Sequence, residues 1–401
     1  MSDDPSGQDH RPMADPHHPS LASSDMEATP TLDVRGAPKT AAPSTVDPDA
    51  ERVPDAESMS LRRRLLTPRT IISIAVPVSI IGVFVGLNGQ VLSKVPSLIL
   101  AANPWLVLAA FAVFYAGFPL RGYRWKLLLR GTGFNISTRD SSEIILLSWL
   151  VNCVVPAKLG DVYRAYLLKI NSDASLSRTF GTVFIERVLD LVVIALLGIA
   201  AGYWSFRDGL PQAIQVVMAI GLVVVAVLSV GLFTMRNFGR RIIVALRFLP
   251  HQVLDLYDRF EEGVFGALSA RQLPVLGVLT VLIWLTEGLR LYFVIQALGF
   301  PDVELGVSGA IFVALIGSLL TAVPLSPAGL GIVEAGVVGV LTVAYGVPLP
   351  EATAIALLDR VISVFSVIVF GSIAYVVSPL PRGGGIHDPV PAGPTAASSA
   401  V

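Results

Sequence analysis

A single cysteine, Cys153, stands in 401 residues, so no disulfide closes within the chain and no thiolate cluster holds a metal. Histidine is scarce too. Three of the five lie at His10, His17 and His18, leaving only His251 and His387 for the rest of the chain. No G-x4-G-K-[ST] run is present to cradle nucleotide phosphates, and the one D-x-D, Asp47-Pro48-Asp49, lies in a stretch too polar to fold. These absences lead us to expect no metal, no cofactor, no nucleic-acid partner and no nucleotide-driven chemistry.

Charge is the other shortage. Only 15% of residues are Asp, Glu, Lys or Arg, against 53% hydrophobic. The mean hydropathy of +0.69 is that of an integral membrane protein. The net charge of −1 conceals an asymmetry, because residues 1–60 hold 12 Asp/Glu against 4 Lys/Arg. That segment, rich in Pro, Ser, Asp and Ala, reads as a disordered acidic cytoplasmic tail, and 380–401 as a second, shorter tail. Between them, 61–379 reads as one transmembrane domain. No apolar core follows the first methionine, so no signal peptide is expected.

A crossing needs about 20 apolar residues. Ile71–Leu92, Asn103–Leu120, Thr179–Trp204, Gln212–Met235, Leu273–Leu298 and Glu351–Val377 qualify, giving about six full spans. Two further apolar regions, Glu143–Ile170 and Val307–Tyr345, are long enough to enter and return but carry a Pro/Gly break in the middle. Basic runs at 62–69 (RRRLLTPR), 121–130 (RGYRWKLLLR) and 236–241 (RNFGRR) set the orientation, with N- and C-termini cytoplasmic. Within 238–272, Val253, Leu256, Tyr257, Phe260 and Val264 recur at helical spacing opposite Asp255, Asp258, Arg259, Glu261 and Glu262. That is an amphipathic helix at the cytoplasmic surface, either packed beneath the bundle or sensing lipid.

The two breaks match. PAKLG begins at Pro156 and PAGLG at Pro327, and an acid-Arg-Val triplet follows each: Glu186-Arg187-Val188 is 30 residues on, Asp359-Arg360-Val361 is 32. The predicted topology makes the first break open from the cytoplasm and the second from outside. The fold class expected is therefore an all-α polytopic membrane protein, with inverted repeats and two broken, re-entrant helical hairpins. Irregular backbone at membrane depth is tolerated only where it lines protein or water. The half-helix after each break presents unpaired N–H groups that favour an anion.

Candidate substrate-binding residues follow. Lys158 and Arg164 are cations at a helix start, with Asp161 between them, and a phosphate is their natural guest. Asn152 caps or bridges the first break and Gly160 turns it; Pro327, Gly329 and Gly331 shape the second. Glu334 is either a gate or proton carrier, or a hydrogen-bond partner of its own turn. Glu186, Arg187 and Asp190, and likewise Asp359 and Arg360, read as substrate contacts or as ion pairs fixing helix packing. Glu287 and Arg290 are secondary candidates, and Cys153 reads as a small buried hydrophobe. A lone charge at the bilayer centre costs at least ~2.5 kcal/mol, so these groups must face one another or a wet cavity.

NCVVPAKLGDVYR (152–164), ERVLD (186–190) and VPLSPAGLGIVEAG (323–336) together resemble the lysylphosphatidylglycerol synthase transmembrane region, a family of flippase-like membrane proteins. The resemblance runs from Thr70 to Ser378, and departs from the family pattern at Ala328, where a second glycine is usual. It implies a transporter of an anionic or aminoacylated phospholipid, or of another phosphate-containing lipid, in the plasma (inner) membrane. Members that make the lipid carry a separate cytosolic domain, and none is recognisable here, so an enzyme is not expected. The resemblance also leaves room for a membrane component of a glycosyltransferase or polyprenyl-phosphate sugar pathway; a non-transporting scaffold is the third reading. Expected partners are membrane phospholipids, a second copy of the chain, and a separate lipid-modifying or glycosyltransferase enzyme.

Overall fold

The computed structural model describes residues 93–155, 159–207, 209, 212–245, 251–269, 271–301, 303–321 and 326–386, with Gly86 and Gly89. All of them belong to one unit, Pro48–Val401. The expected acidic tail, nearly all of the span 71–92, and Lys158 lie outside the described residues.

Among the described residues every regular element is helical. In order they are α1 (Val95–Leu100), α2 (Pro104–Gly131), α3 (Thr138–Val154), α4 (Gly160–Asn171), α5 (Leu176–Ser205), α6 (Gln212–Ala245) and α7 (His251–Gly266). Then come α8 (Leu273–Leu298), α9 (Val307–Leu320), α10 (Ile332–Tyr345), α11 (Leu349–Arg360) and α12 (Ser366–Val377). Among the described residues, five stretches are long and apolar enough to cross a membrane: Pro104–Gly131, Ala219–Arg241, Leu273–Leu298, Pro327–Tyr345 and Leu349–Val377. Leu176–Ser205, with Arg178, Glu186, Arg187 and Asp190 along it, is not one of the five.

Local chemistry sets the boundaries. Pro104 occupies the first turn of α2, and Asn103 Oδ1 accepts from Trp105 N at 3.0 Å. Ser137 Oγ accepts from Asp140 N at 3.0 Å to start α3. Gly299 (φ 61°) and Gly346 (φ 66°) end α8 and α10 in the left-handed conformation.

Both sequence breaks are real interruptions. Helix α3 stops at Val154 and α4 begins at Gly160; α9 stops at Leu320 and α10 begins at Ile332, after a 3-10 turn at Pro327–Gly329. A Cβ on Gly160 would run into the Ser148 carbonyl oxygen, so only glycine lets α4 start this close to α3.

Contacts between helix ends sort them onto two sides. Asn103 N donates to Ala297 O at 2.8 Å, and Ser205 Oγ lies 2.9 Å from Tyr345 Oη; these join the start of α2 and the ends of α5, α8 and α10. On the other side, Gly131 meets the Gly266–Ala267 backbone, and Asn171 Nδ2 donates to Leu380 O at 2.8 Å.

Three expectations are corrected. The second span does not end at Leu120 with the basic run beyond it: α2 continues to Gly131, and Arg121 (7% exposed) and Arg124 (1%) are buried inside the bundle. Residues 380–386 are not free tail, because Gly385 N donates to Asn171 Oδ1 at 2.9 Å and Ile386 N to Asn171 O at 3.3 Å. The amphipathic segment 238–272 divides between the end of α6 and α7. Helix α7 docks on α5 where Gly181 and Gly263 let the backbones touch, with Ser177 Oγ donating to Leu256 O at 2.6 Å.

Ala328 holds φ 52°, ψ 12° within the second break, a left-handed conformation that penalises any side chain by about 1–2 kcal/mol. Ala328→Gly should raise stability by about 0.5–1 kcal/mol, after allowing for the extra freedom of the unfolded chain. The same change at helical Ala356 should lower it by about 1 kcal/mol. Thermal unfolding of the two variants in one detergent checks the sign of each.

Candidate functional site

Helices α2, α5 and α8 carry the first group of charges. Arg124 Nη1 donates to Asp190 Oδ1 at 2.6 Å and to Thr280 Oγ1 at 3.0 Å, while its Nη2 lies 3.3 Å from Glu186 Oε1. Trp284 Nε1 donates to Asp190 Oδ1 at 3.1 Å. From α4, Arg164 Nη1 donates to Glu186 Oε1 at 3.2 Å, and its guanidinium lies over the Trp125 ring at 4.7 Å. Arg187 joins the same cluster to α4: Nε and Nη2 donate to Asp161 at 3.2 and 3.1 Å, and Nη1 donates to Asp190 at 3.1 Å.

A second group joins α2, α8 and α11. Arg121 Nη2 donates to Glu287 Oε1 at 2.5 Å and lies over the Trp149 ring at 4.7 Å. Arg290 pairs with Glu287 one turn away. It also reaches across to Asp359, with Nε to Oδ1 at 2.8 Å and Nη2 to Oδ2 at 3.1 Å. The last pair is Glu334 with Arg360 at 2.9 Å.

Within this network the charges balance. Asp161, Glu186, Asp190, Glu287, Glu334 and Asp359 stand against Arg121, Arg124, Arg164, Arg187, Arg290 and Arg360. A buried guanidinium without its carboxylate would be far costlier than the pair, so each anchors a neighbouring helix.

The network walls a cavity of about 280 Å³. Of the sequence candidates, Asn152, Asp161, Arg187, Asp190, Glu287, Arg290, Gly329, Glu334, Asp359 and Arg360 line it. Residues flanking both helix breaks, the Asp359-Arg360 pair and Arg187 of the other pair therefore face one space. Among the described residues, five of its charged groups are carboxylates and three are guanidiniums. Asn152 Oδ1 accepts from Gly160 N at 2.8 Å and ties the first break; Glu334 Oε2 accepts from Gly331 N at 2.6 Å and ties the second. Directly after Arg360 the helix widens into a π turn, Val361–Phe365, a distortion frequent at functional positions.

Other candidates stand elsewhere. Arg164 (2% exposed) and Glu186 (3%) sit behind the wall, and Arg164, expected to meet a phosphate, donates to Glu186 instead. Gly160, Pro327 and Gly331 shape the breaks without lining the cavity, and Cys153 does line it.

Arg121 and Arg124 escaped the sequence reading. The signal was there: Phe114, Phe118, Arg121, Trp125 and Leu128 form one buried stripe, so the cation continues an apolar face.

Helices of span length around a polar cavity, walled by a charge-balanced ion-pair network, make this a multi-pass membrane protein. Residues 70–371 match the family described as the lysylphosphatidylglycerol synthase TM region, and the chain belongs to it. It is similar to UPF0104 membrane protein MJ1078 of Methanocaldococcus jannaschii, 37% identical over 57% of this chain and 93% of that protein. A UPF0104 membrane protein of Methanothermobacter thermautotrophicus is 28% identical over 67% and 84%. Glycosyltransferase AglD of Haloferax volcanii is 28% identical over 67% of this chain, which spans about half of that protein (48%).

Asp190→Asn would leave Arg124 buried with half its partners, at a cost of about 3–5 kcal/mol. Removing the exposed Arg178–Glu262 pair (42% and 61% exposed side chains) should cost under about 1 kcal/mol. Chemical unfolding of the two variants side by side measures the contrast.

Proposed function

We propose that the chain is a lipid transporter, moving a phosphate-containing lipid headgroup across the bilayer through the cavity between its two helix breaks. The observation that carries this reading is the meeting of both breaks, with Arg187, Asp359 and Arg360, on one cavity in an apolar bundle. A transporter needs a polar chamber at membrane depth, reached by irregular backbone that water or substrate can satisfy.

The helix order supports an inverted duplication. Helix α2, the broken pair α3/α4 and the long α5 are followed by α8, the broken pair α9/α10 and the long α11–α12. Helix α3 starts soon after Gly131 and α4 ends at Asn171, on the side of Ala267 and Leu380; α9 follows α8, and α10 ends at Tyr345, on the side of Ala297 and Ser205. Two hairpins opening to opposite faces suit alternating access. Exposed Arg130, Arg236, Arg240 and Arg241 favour a cytoplasmic placement for the Asn171 side, hence cytoplasmic termini in a plasma membrane.

The excess of carboxylates among the described residues of the wall favours a headgroup that carries a cation beside its phosphate, as an aminoacylated phospholipid does. In this reading the chain moves the lipid and a separate enzyme makes it. The similarity to a protein named as a glycosyltransferase supports a second reading, in which the cargo is a glycosylated lipid phosphate and the partner is the sugar-transferring enzyme.

Reconstituted full-length protein should speed the exposure of inner-leaflet fluorescent phospholipid to an impermeant quencher. Maleimide at Cys153, the chain's one thiol, should block that activity, and Cys153→Ser should be active and indifferent to the reagent. Folded protein that leaves the quenching rate at the protein-free value removes the transporter reading.

A further inference from the structure

The two helix starts beside the cavity are capped by different chemistry. At the first, the cap on Gly160 N is the neutral amide of Asn152. At the second, Gly331 N is held at 2.6 Å by the carboxylate of Glu334. The start of α10, a helix of 14 residues, attracts an anion through its exposed N–H groups, and the present occupant is the chain's own side chain.

Arg360 supplies an independent observation. Its side chain is 9% exposed and lines the cavity, yet its Nη2 is buried with no hydrogen-bond partner. Its Nε lies 2.9 Å from Glu334 Oε1, but that oxygen accepts no hydrogen bond, so the pair is ionic and poorly aligned. The other carboxylates on the wall, Asp161, Asp190, Glu287 and Asp359, each accept at least one hydrogen bond from an arginine. Arginine is built to present two parallel donors to a phosphate, and Arg360 holds such an edge in reserve.

We infer that Glu334 is a placeholder for a phosphate group, which displaces it at the start of α10 and binds to Gly331 N–H and the Arg360 guanidinium. This rests on the transporter reading and locates its anion subsite at the second break, not at the Lys158–Arg164 turn that the sequence favoured. Arg164 also leaves Nε and Nη2 without hydrogen-bond partners, but it stands behind the wall, paired with Glu186 and stacked on Trp125, whereas Arg360 lines the cavity. Exchanging one anion for another leaves neither the helix start nor Arg360 bare at any stage, so loading avoids the cost of a lone buried cation.

The test uses the labelling rate of Cys153, which shares the cavity wall with Glu334 and Arg360. Full-length protein in phosphate-free detergent is titrated with glycerol 1-phosphate and with inorganic phosphate, and in nanodiscs phosphatidylglycerol is compared with an uncharged galactolipid. Saturable protection by phosphatidylglycerol identifies a lipid source, and protection by the soluble anions alone a soluble one; either supports the subsite.

Glu334→Gln keeps a capping oxygen but removes the competing charge, so half-protection should come at about tenfold lower phosphate, a difference of about 1.4 kcal/mol. Arg360→Gln should abolish protection and Arg360→Lys should weaken it, each checked for an unaltered melting profile. Absence of protection in the wild type, or protection unchanged in both Glu334→Gln and Arg360→Gln, overturns the inference. The two readings separate. Protein that binds phosphate but moves no lipid loses the transporter reading alone, and protein that moves lipid without phosphate protection loses the subsite alone.

Discussion

A guanidinium cannot sit alone in an apolar bundle, and most of this structure can be understood as the ways its arginines avoid that state. Each of the six in the network reaches a carboxylate on a neighbouring or facing helix. Pairing decides which helices touch: Arg124 and Arg121 bind α2 to α5 and α8, Arg290 binds α8 to α11, and Arg360 binds α11 to α10. Apolar packing alone gives helices in lipid little preference among neighbours, whereas a buried ion pair specifies its partner. The same pairs leave a polar chamber between them, so the contacts that hold the bundle are also those that any cargo would meet.

Much of this was legible in the sequence. The Pro-Gly breaks at 156–160 and 327–331 lie where helices stop, because proline, glycine and a following acid act locally and override an apolar background. Arg187, Asp359 and Arg360 lie on the cavity and Glu186 just behind it, each in an ion pair, since charges at depth must face each other. Asn152 and Glu334 were readable as partners of their own turns because each lies within eight residues of the N–H it accepts from.

What was not legible depended on position in three dimensions. A basic run after an apolar stretch reads as an interfacial anchor, and Arg130 fits that reading. Arg121 and Arg124 do not, since their partners Glu287 and Asp190 lie 166 and 66 residues away. Likewise Arg164 was assigned to a phosphate because its carboxylate, Glu186, belongs to the next helix. Long-range pairing leaves no periodic trace. The buried stripe through Phe114, Phe118, Arg121 and Trp125 does leave one, and helical phase is thus a better guide to these arginines than proximity to a span's end.

The π turn at Val361–Phe365 bears on how the chain tolerates change. It adds a residue's worth of backbone to an otherwise regular rod, and so sets the rotational phase of everything after it. Beyond it, Ser366 Oγ lies 2.8 Å from Tyr115 Oη, and Gly371 lets α12 press against Leu150. Deleting one residue in the turn would rotate α12 by about 100° and swing both contacts off the bundle. Substitutions within this turn are therefore far safer in evolution than a change of its length, and an insertion or deletion there would separate lineages more sharply than many point differences.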